Sequence, residues 1–162
     1  KPMDTLTLDL VTNTVLDRVS DSELDSEYRK RFFLKAGDKL YGADDASKHF
    51  NILFADDPAR EHFGIIYLNG KNDVISSEVL FTGTLTTSAV YPREIIKRSL
   101  EENAAAILVG HNHPSGNKQP SSDDLAITKK IKAACETVDV TLHDHVIVTS
   151  EGYYSIADHG LL

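Results

Sequence analysis

The feature that most constrains the fold of this 162-residue chain is a short, wholly apolar segment, Ala104 to Gly110. It is far too short to cross a bilayer, and an apolar run without polar alternation is typical of a strand covered on both faces. A second apolar segment, Phe63 to Leu68, is followed by Asn69-Gly70, which favours a tight hairpin turn before a partner strand over residues 73–81. The chain is therefore expected to bury its sheet between other layers.

Helical patterns alternate with these strands. Pro92 takes a first helical position, and Ser121 or Ser122 is a helix cap. The patterns predict three helices and then two further strands, over residues 44–54, 92–103, 122–137, 138–149 and 152–156. This alternation is typical of the α/β class, with a mixed sheet sandwiched between helices.

The first 42 residues differ from the rest of the chain. A leucine at every second position from Leu6 to Leu10 predicts a half-buried strand. Residues 17–27 are acidic and serine-rich, which indicates a solvated loop or a short exposed helix. We therefore divide the chain into an N-terminal extension of unknown role, residues 1–42, and a domain over residues 43–162.

Composition excludes several classes of protein. The chain has 17 Lys and Arg against 25 Asp and Glu, so its net charge of −8 argues against a broadly basic protein that coats nucleic acid, although a local basic patch stays compatible. The single cysteine, Cys135, excludes an intramolecular disulfide and a multi-cysteine zinc finger, and a buried structural thiol is expected there. Neither a membrane-spanning segment nor a signal-peptide pattern is visible, so we expect a soluble, cytoplasmic protein with no membrane partner.

Residues that carry chemistry are concentrated after the apolar strand. His111 and His113 are two positions apart, and on an extended backbone their side chains point to the same side. Two neighbouring imidazoles suit a metal such as zinc, and Asp124 in the next helix could add a third ligand and leave a fourth position for water. Taken alone, Ser121-x-x-Asp124 is also an ordinary helix-capping pattern. The whole pattern, with Pro114, arises by chance with a probability on the order of 1 in 10^4 or less.

The motif His111-x-His113-Pro114, six residues, and Ser121-x-x-Asp124 resembles the JAMM motif of the MPN-type zinc hydrolases. The resemblance covers about residues 45 to 160 and implies a three-layer αβα fold like that of cytidine deaminases. It also implies one zinc ion per chain, held by His111, His113 and Asp124, with Ser121 assisting the oxyanion.

Other segments resemble the bacterial RadC-like branch of that family in particular. These segments are His111–Gly116, Pro120-Ser121, Gly83–Leu85, Tyr91–Glu94 and Asp144-His145. Position 112 is Asn, where the eukaryotic deubiquitinating branch commonly has Ser or Thr, and this weakens any inference of a ubiquitin-like substrate.

The family also places a glutamate upstream that takes a proton from the zinc-bound water. Glu61 stands just before the first buried strand, as the family's glutamate does, and is the preferred candidate. Glu78, on the second strand, is the alternative. The implied reaction is hydrolysis of a peptide, isopeptide or amide bond in a protein or peptide substrate of unknown identity.

A second His-x-His pair, His143 and His145, is compatible with a second metal site but is more typical of a structural network. Asp144 and His145 match the family and are candidates for orienting a ligand histidine. His62 is interpreted as a helix-end residue.

Two other functions stay open at this point. One is a DNA-repair or DNA-processing accessory protein of the RadC type, whose metal site is structural or serves a nuclease. The other is an inactive scaffold that keeps the fold and binds a partner. The net charge of −8 argues against nucleic acid without excluding it, and the oligomeric state is not determined by the sequence.

Overall fold

The computed structural model describes residues 18–84 and 89–162, so the strand predicted at Leu6–Leu10 lies outside the described residues. The chain divides into two units, Lys1–Phe33 and Leu34–Leu162. In the first unit, helix α1 spans Asp21–Phe32 and has no buried residue. From Asp21 onward the acidic segment is therefore an exposed helix, the second of the two forms that its composition indicated.

The second unit is built on a five-stranded sheet. Its strands are β1 (His62–Leu68), β2 (Val74–Thr82), β3 (Ala106–Asn112), β4 (Thr141–Thr149) and β5 (Gly152–Ser155). They lie in the order β2-β1-β3-β4-β5; β3 and β4 pair in parallel, and the other neighbours are antiparallel. The two apolar segments form β1 and β3, and both strands are buried along their whole length, as predicted.

Helices cover both faces of this sheet. They are α2 (Ala43–Leu53), α3 (Pro92–Glu101) and α4 (Ser122–Glu136). Phe50 of α2 packs on one face with Leu108, whereas Ile95 of α3 and Ile131 of α4 pack on the other face. The three layers confirm the predicted αβα architecture. Among the described residues, no helix has the length and apolar character needed to cross a membrane.

The close packing of α2 depends on two glycines that pair with each other across β1 and β3, Gly64 and Gly110. A Cβ atom at Gly110 would lie 2.4 Å from the ring of Phe50, and one at Gly64 would lie 3.0 Å from the rings of Phe50 and Phe54. Real Cβ atoms essentially never come as close as 2.4 Å, so Gly110 is required for the ring of Phe50 to rest on the sheet, and a side chain at Gly64 would oblige the rings to shift. Gly110 immediately precedes His111, so this packing lies directly beside a predicted metal ligand.

The hairpin between β1 and β2 is present but is not the tight two-residue turn that Asn69-Gly70 favours. Its loop covers residues 69–73, and the left-handed residue is Asn72, with φ of 62°. The side-chain oxygen of Asn69 accepts from the backbone N–H groups of Lys71 and Asp73. An Asn side chain that replaces a backbone acceptor stabilises a longer loop, which a dipeptide rule does not anticipate.

The core also contains Cys135, which is buried on α4 as expected. Burial raises the pKa of its thiol to about 11. A thiol of this kind stays protonated near neutral pH and acts as a small apolar side chain.

Candidate functional site

The end of β3 and the start of α4 bring the three predicted metal ligands together. His111 lies on β3, His113 directly follows it, and Asp124 lies in the first turn of α4. The Nε2 atoms of His111 and His113 are 2.8 Å apart, and each lies 3.1 Å from an oxygen of Asp124. Over residues 18–84 and 89–162, this is the one group of three or more His, Cys, Asp or Glu side chains placed to hold a metal ion.

The loop between these elements fixes the ring of His113. The backbone N–H of His113 donates to the carbonyl of Val148, and its Nδ1 lies 2.7 Å from the carbonyl oxygen of Asn117. A carbonyl oxygen only accepts, so Nδ1 of His113 carries the proton. In the neutral ring, Nε2 then presents a lone pair to His111 and Asp124.

A chain of three hydrogen bonds fixes the ring of His111 in the same way. The Thr128 hydroxyl donates to the carbonyl of Asp124, so its oxygen accepts from Nδ1 of His145 at 2.6 Å. Nε2 of His145 therefore accepts from Nδ1 of His111, at 2.7 Å. Burial holds the pKa of His145 well below its ordinary value, which keeps this ring neutral. In its neutral form, the ring of His111 therefore also presents a lone pair at Nε2 to the cluster.

This donor set fits a zinc ion. Two imidazole lone pairs and a carboxylate converge, and the ligands of tetrahedral zinc are separated by about 3.3 Å when each bond is about 2.0 Å. Burial alone would raise the pKa of Asp124, but the hydrogen bonds that His111 and His113 donate from Nε2 when they are protonated hold it well below its ordinary value. The hydrogen bond to Asp124 raises the pKa of His113, against the effect of burial. Both shifts show that the cluster favours positive charge beside the carboxylate.

The two candidate glutamates lie in different surroundings. Glu61 is half-buried and lines a cavity of about 600 Å³ together with the three ligands and Ser121. After the effects of Asp124 and Asn117, the charge of Glu61 makes a smaller contribution to the raised pKa of His113. Glu78 does not line this cavity.

The carboxylate of Glu78 instead belongs to an ion-pair network on β2. It accepts from Arg98 at 2.8 and 2.9 Å and from the hydroxyl of Tyr67 at 3.1 Å. The hydrogen bonds from Arg98 lower the pKa of Glu78. A carboxylate occupied in this way is a poor proton acceptor for a reaction in the cleft.

Ser121 combines the two interpretations that its sequence pattern allows. Its hydroxyl oxygen accepts from the backbone N–H of Asp124, and the Asp124 carboxylate accepts from the backbone N–H of Ser121. These are the two bonds of a capping box. The same serine lines the cavity, so capping and a role in the site are compatible.

The second His-x-His pair does not form a metal site in the described part of the chain. The register of β3 and β4 shifts opposite His143, whose Nε2 bonds to the side chain of Asn72, whereas His145 bonds to His111. Asp144 accepts from Ser155 and from the backbone of His145 and Ala157. Asp144 therefore holds the backbone of His145, and His145 contacts His111, a predicted ligand, directly.

The structure corrects the prediction for His62 and adds Thr128, which was not predicted. His62 is the buried first residue of β1 rather than a helix-end residue, and its ring bonds to the carbonyl of Asp57 and the hydroxyl of Thr82. Thr128 was missed, although it lies four residues after Asp124 on α4 and so shares its helix face. That spacing was the available sequence signal.

Comparison with known proteins gives consistent matches. Residues 41–161 match the model of a family described as "RadC-like JAB domain". The UPF0758 protein YeeS of Escherichia coli (strain K12) is 48% identical over 98 residues, which cover 60% of this chain and 66% of YeeS. A UPF0758 protein of Janthinobacterium sp. (strain Marseille) is 41% identical over 129 residues, which cover 80% of this chain and 57% of that protein. The matches thus span between about half and two thirds of these relatives, whose names state no activity.

Proposed function

The chain belongs to the RadC-like JAB domain family, and from this membership we propose that it is a zinc-dependent hydrolase of peptide, isopeptide or amide bonds. His111, His113 and Asp124 would hold the zinc ion, and Glu61 would serve as the general base. The proposal extends to a metalloprotease or isopeptidase activity on a protein or peptide substrate.

One observation carries this proposal: two imidazoles, whose Nδ1 atoms bond elsewhere, turn their Nε2 atoms toward one carboxylate at about zinc-ligand spacing. A zinc ion bound there would polarise a carbonyl group and make a water molecule a better nucleophile near neutral pH. With three protein ligands, a tetrahedral site keeps a fourth position open, which is the arrangement of catalytic rather than structural zinc.

The side chains around the ligands supply the remaining chemistry. Glu61 lines the same cavity, so its carboxylate can take a proton from the attacking water and return it to the leaving amine. The Ser121 oxygen already accepts the N–H of Asp124, which leaves its own proton available to a developing oxyanion in the cavity.

The lining of the cavity favours a peptide over a nucleic acid. Arg60 is the only Lys or Arg among the described residues that line it, and Glu61 and Asp124 place negative charge there. Nucleic-acid binding depends on several cations that neutralise phosphates. The DNA-processing alternative therefore predicts strong binding that falls steeply with salt, and a gel shift at two salt concentrations tests it.

Zinc binding and hydrolysis test the proposal together. Wild-type protein, purified without chelator, should bind one equivalent of zinc and release new N-termini from a synthetic peptide library. Glu61→Gln should lower the rate of hydrolysis by about 10²- to 10⁴-fold while it still binds zinc. The control Glu78→Gln, which loses only a partly exposed ion pair, should keep its rate within about twofold. Less than about a tenth of an equivalent of zinc, with no rise on titration, would overturn the proposal.

A further inference from the structure

We propose that Asn112 is a positioning residue that holds Glu61 beside the metal ligands by binding the backbone on both sides of it. The inference rests on the proposed role of Glu61 as general base. Asn112 lies between the two proposed ligand histidines, so one tripeptide at the end of β3 would set the positions of both the ligands and the base.

The contacts of Asn112 are two hydrogen bonds to the segment that contains Glu61. Its Oδ1 accepts from the backbone N–H of His62 at 2.6 Å, and its Nδ2 donates to the backbone carbonyl of Arg60 at 2.8 Å. The residue between these two backbone groups is Glu61. Asn112 is only 7% exposed, so both bonds are shielded from water.

These bonds require an amide side chain. One atom must accept and a neighbouring atom must donate, and among side chains of this length only Asn offers both in one planar group. Asp would keep the acceptor and lose the donor. Leu would keep nearly the same volume and lose both.

Neighbouring contacts complete the restraint on this segment. The backbone N–H of Gly83 donates to the carbonyl of Glu61 at 2.9 Å. The ring of His62 bonds to the carbonyl of Asp57 and stacks on Phe54, with centroids 5.7 Å apart. Three successive residues, 60 to 62, thus each have a backbone group held from outside the segment. Asn112 supplies two of these bonds, one on each side of Glu61.

Strand geometry explains how this residue reaches Glu61 without entering the ligand cluster. Side chains alternate along a strand, so Asn112 points to the opposite side from His111 and His113. It therefore binds the backbone behind the base and leaves the cavity open. Because a displacement of about 1 Å can cost a reaction about 10²-fold, such a restraint affects rate more than ligand binding.

The experiment compares Asn112→Leu and Asn112→Asp with wild-type protein by three measurements. Amide hydrogen exchange at residue 62 reports the clamp, by which we mean the two hydrogen bonds of Asn112 to the backbone of residues 60 and 62. Chelator competition reports zinc affinity, and hydrolysis of a peptide from the library reports kcat and KM. Asn69→Leu is the matched control, because Asn69 also bonds two backbone groups but does so at the far end of β1.

The clamp predicts a specific pattern. Asn112→Leu should speed exchange at residue 62 at least about tenfold and lower kcat about 10- to 100-fold, with zinc affinity and KM nearly unchanged. Asn112→Asp should keep residue 62 protected from hydrogen exchange, because the acceptor remains. Its kcat should lie between those of wild-type protein and Asn112→Leu. Asn69→Leu should change neither exchange at residue 62 nor kcat. A general loss of stability would not lower kcat while leaving zinc affinity unchanged, so that pattern distinguishes the role of Asn112.

Two results would overturn the inference. One is unchanged exchange at residue 62 in Asn112→Leu, and the other is an unchanged kcat despite faster exchange. If Asn112→Leu does not fold, Asn112→Asp carries the test through its kcat and its protection at residue 62. Failure of the proposed function is recognised separately, because wild-type protein would then bind no zinc or cleave no peptide, whereas exchange still reports the clamp.

Discussion

Helices α1 and α4 both begin with a capping box, but the two capping boxes have different surroundings. Each starts with a serine cap and an acidic residue three positions later, Ser20 with Glu23 and Ser121 with Asp124. The acidic residue's N–H donates to the serine hydroxyl at 3.2 Å in α1 and 3.0 Å in α4. The serine N–H donates to the carboxylate at 2.9 and 2.8 Å. Locally, the two helix starts are nearly identical.

Their surroundings separate them. Glu23 lies in an exposed helix start, and hydrogen bonds from the backbone and side chain of Ser20 lower its pKa. Asp124 is 8% exposed and faces His111 and His113. The capping box therefore orients a carboxylate in both helices, but a carboxylate becomes a candidate metal ligand only where a strand end places imidazoles opposite it.

The largest expected effect comes from substituting the acidic residue of each capping box. Asp124→Asn keeps an oxygen for the cap but loses the charge, so zinc affinity should fall more than the roughly 10- to 100-fold that loss of an outer hydrogen-bonding partner costs. Glu23→Gln, the same change in the other box, should leave zinc affinity unchanged. Competition with a fluorescent chelator measures both, and equal affinities for the two variants would contradict the assignment of Asp124.

A smaller effect is expected at Thr128, which lies one turn after Asp124 on α4. Thr128→Val removes the hydroxyl that fixes the direction of the chain through His145 to His111, so zinc affinity should fall about tenfold. Thr137→Val is the control, because Thr137 also donates to a backbone carbonyl of α4 but lies at the exposed end of the helix. Imidazole ¹⁵N shifts should show a changed tautomer of His145 only in the first variant; an unchanged tautomer would refute the chain.

The smallest expected effect comes from substituting the serine of each capping box. Ser121→Ala should lower the free energy of unfolding of the second unit by about 1 kcal/mol, the usual cost of a lost N-cap, as measured by urea denaturation. Ser20→Ala should lower the helix content of α1 alone, which amide chemical shifts report. A cost of several kcal/mol for Ser121→Ala would mean that the serine supports more than the helix start.

Local sequence rules predicted the parts of this molecule that depend on neighbouring residues. The apolar run before His111 predicted the central strand, Ser121 predicted the start of α4, and the spacing to Asp124 predicted the cluster. The strand and the helix start are decided by residues within a few positions of each other, where periodicity and capping apply, and the cluster is decided within one strand–loop–helix segment.

The features that escaped prediction join residues far apart in the chain. The bond of Thr128 to His145, the clamp of Asn112 on residues 60 and 62, and the engagement of Glu78 by Arg98 all depend on how the sheet is assembled. Likewise, the register shift that separates His143 from His145 is a property of the paired strands, not of either strand alone. No periodicity within one segment reports such contacts.

The central position of β3 also bears on the order in which the molecule folds. The pairs β1–β2 and β4–β5 join neighbouring segments, whereas β3 pairs with β1 and β4, which are both distant in sequence. Contacts between neighbouring segments form sooner because closing a long loop costs more entropy. We therefore expect the two hairpins to form first and β3 to join them last. His111, His113 and Asp124 lie in one strand–loop–helix segment. Under the proposed function, a folding chain could therefore bind zinc before Glu61 is in place, and it would be unable at that stage to cut itself or its neighbours.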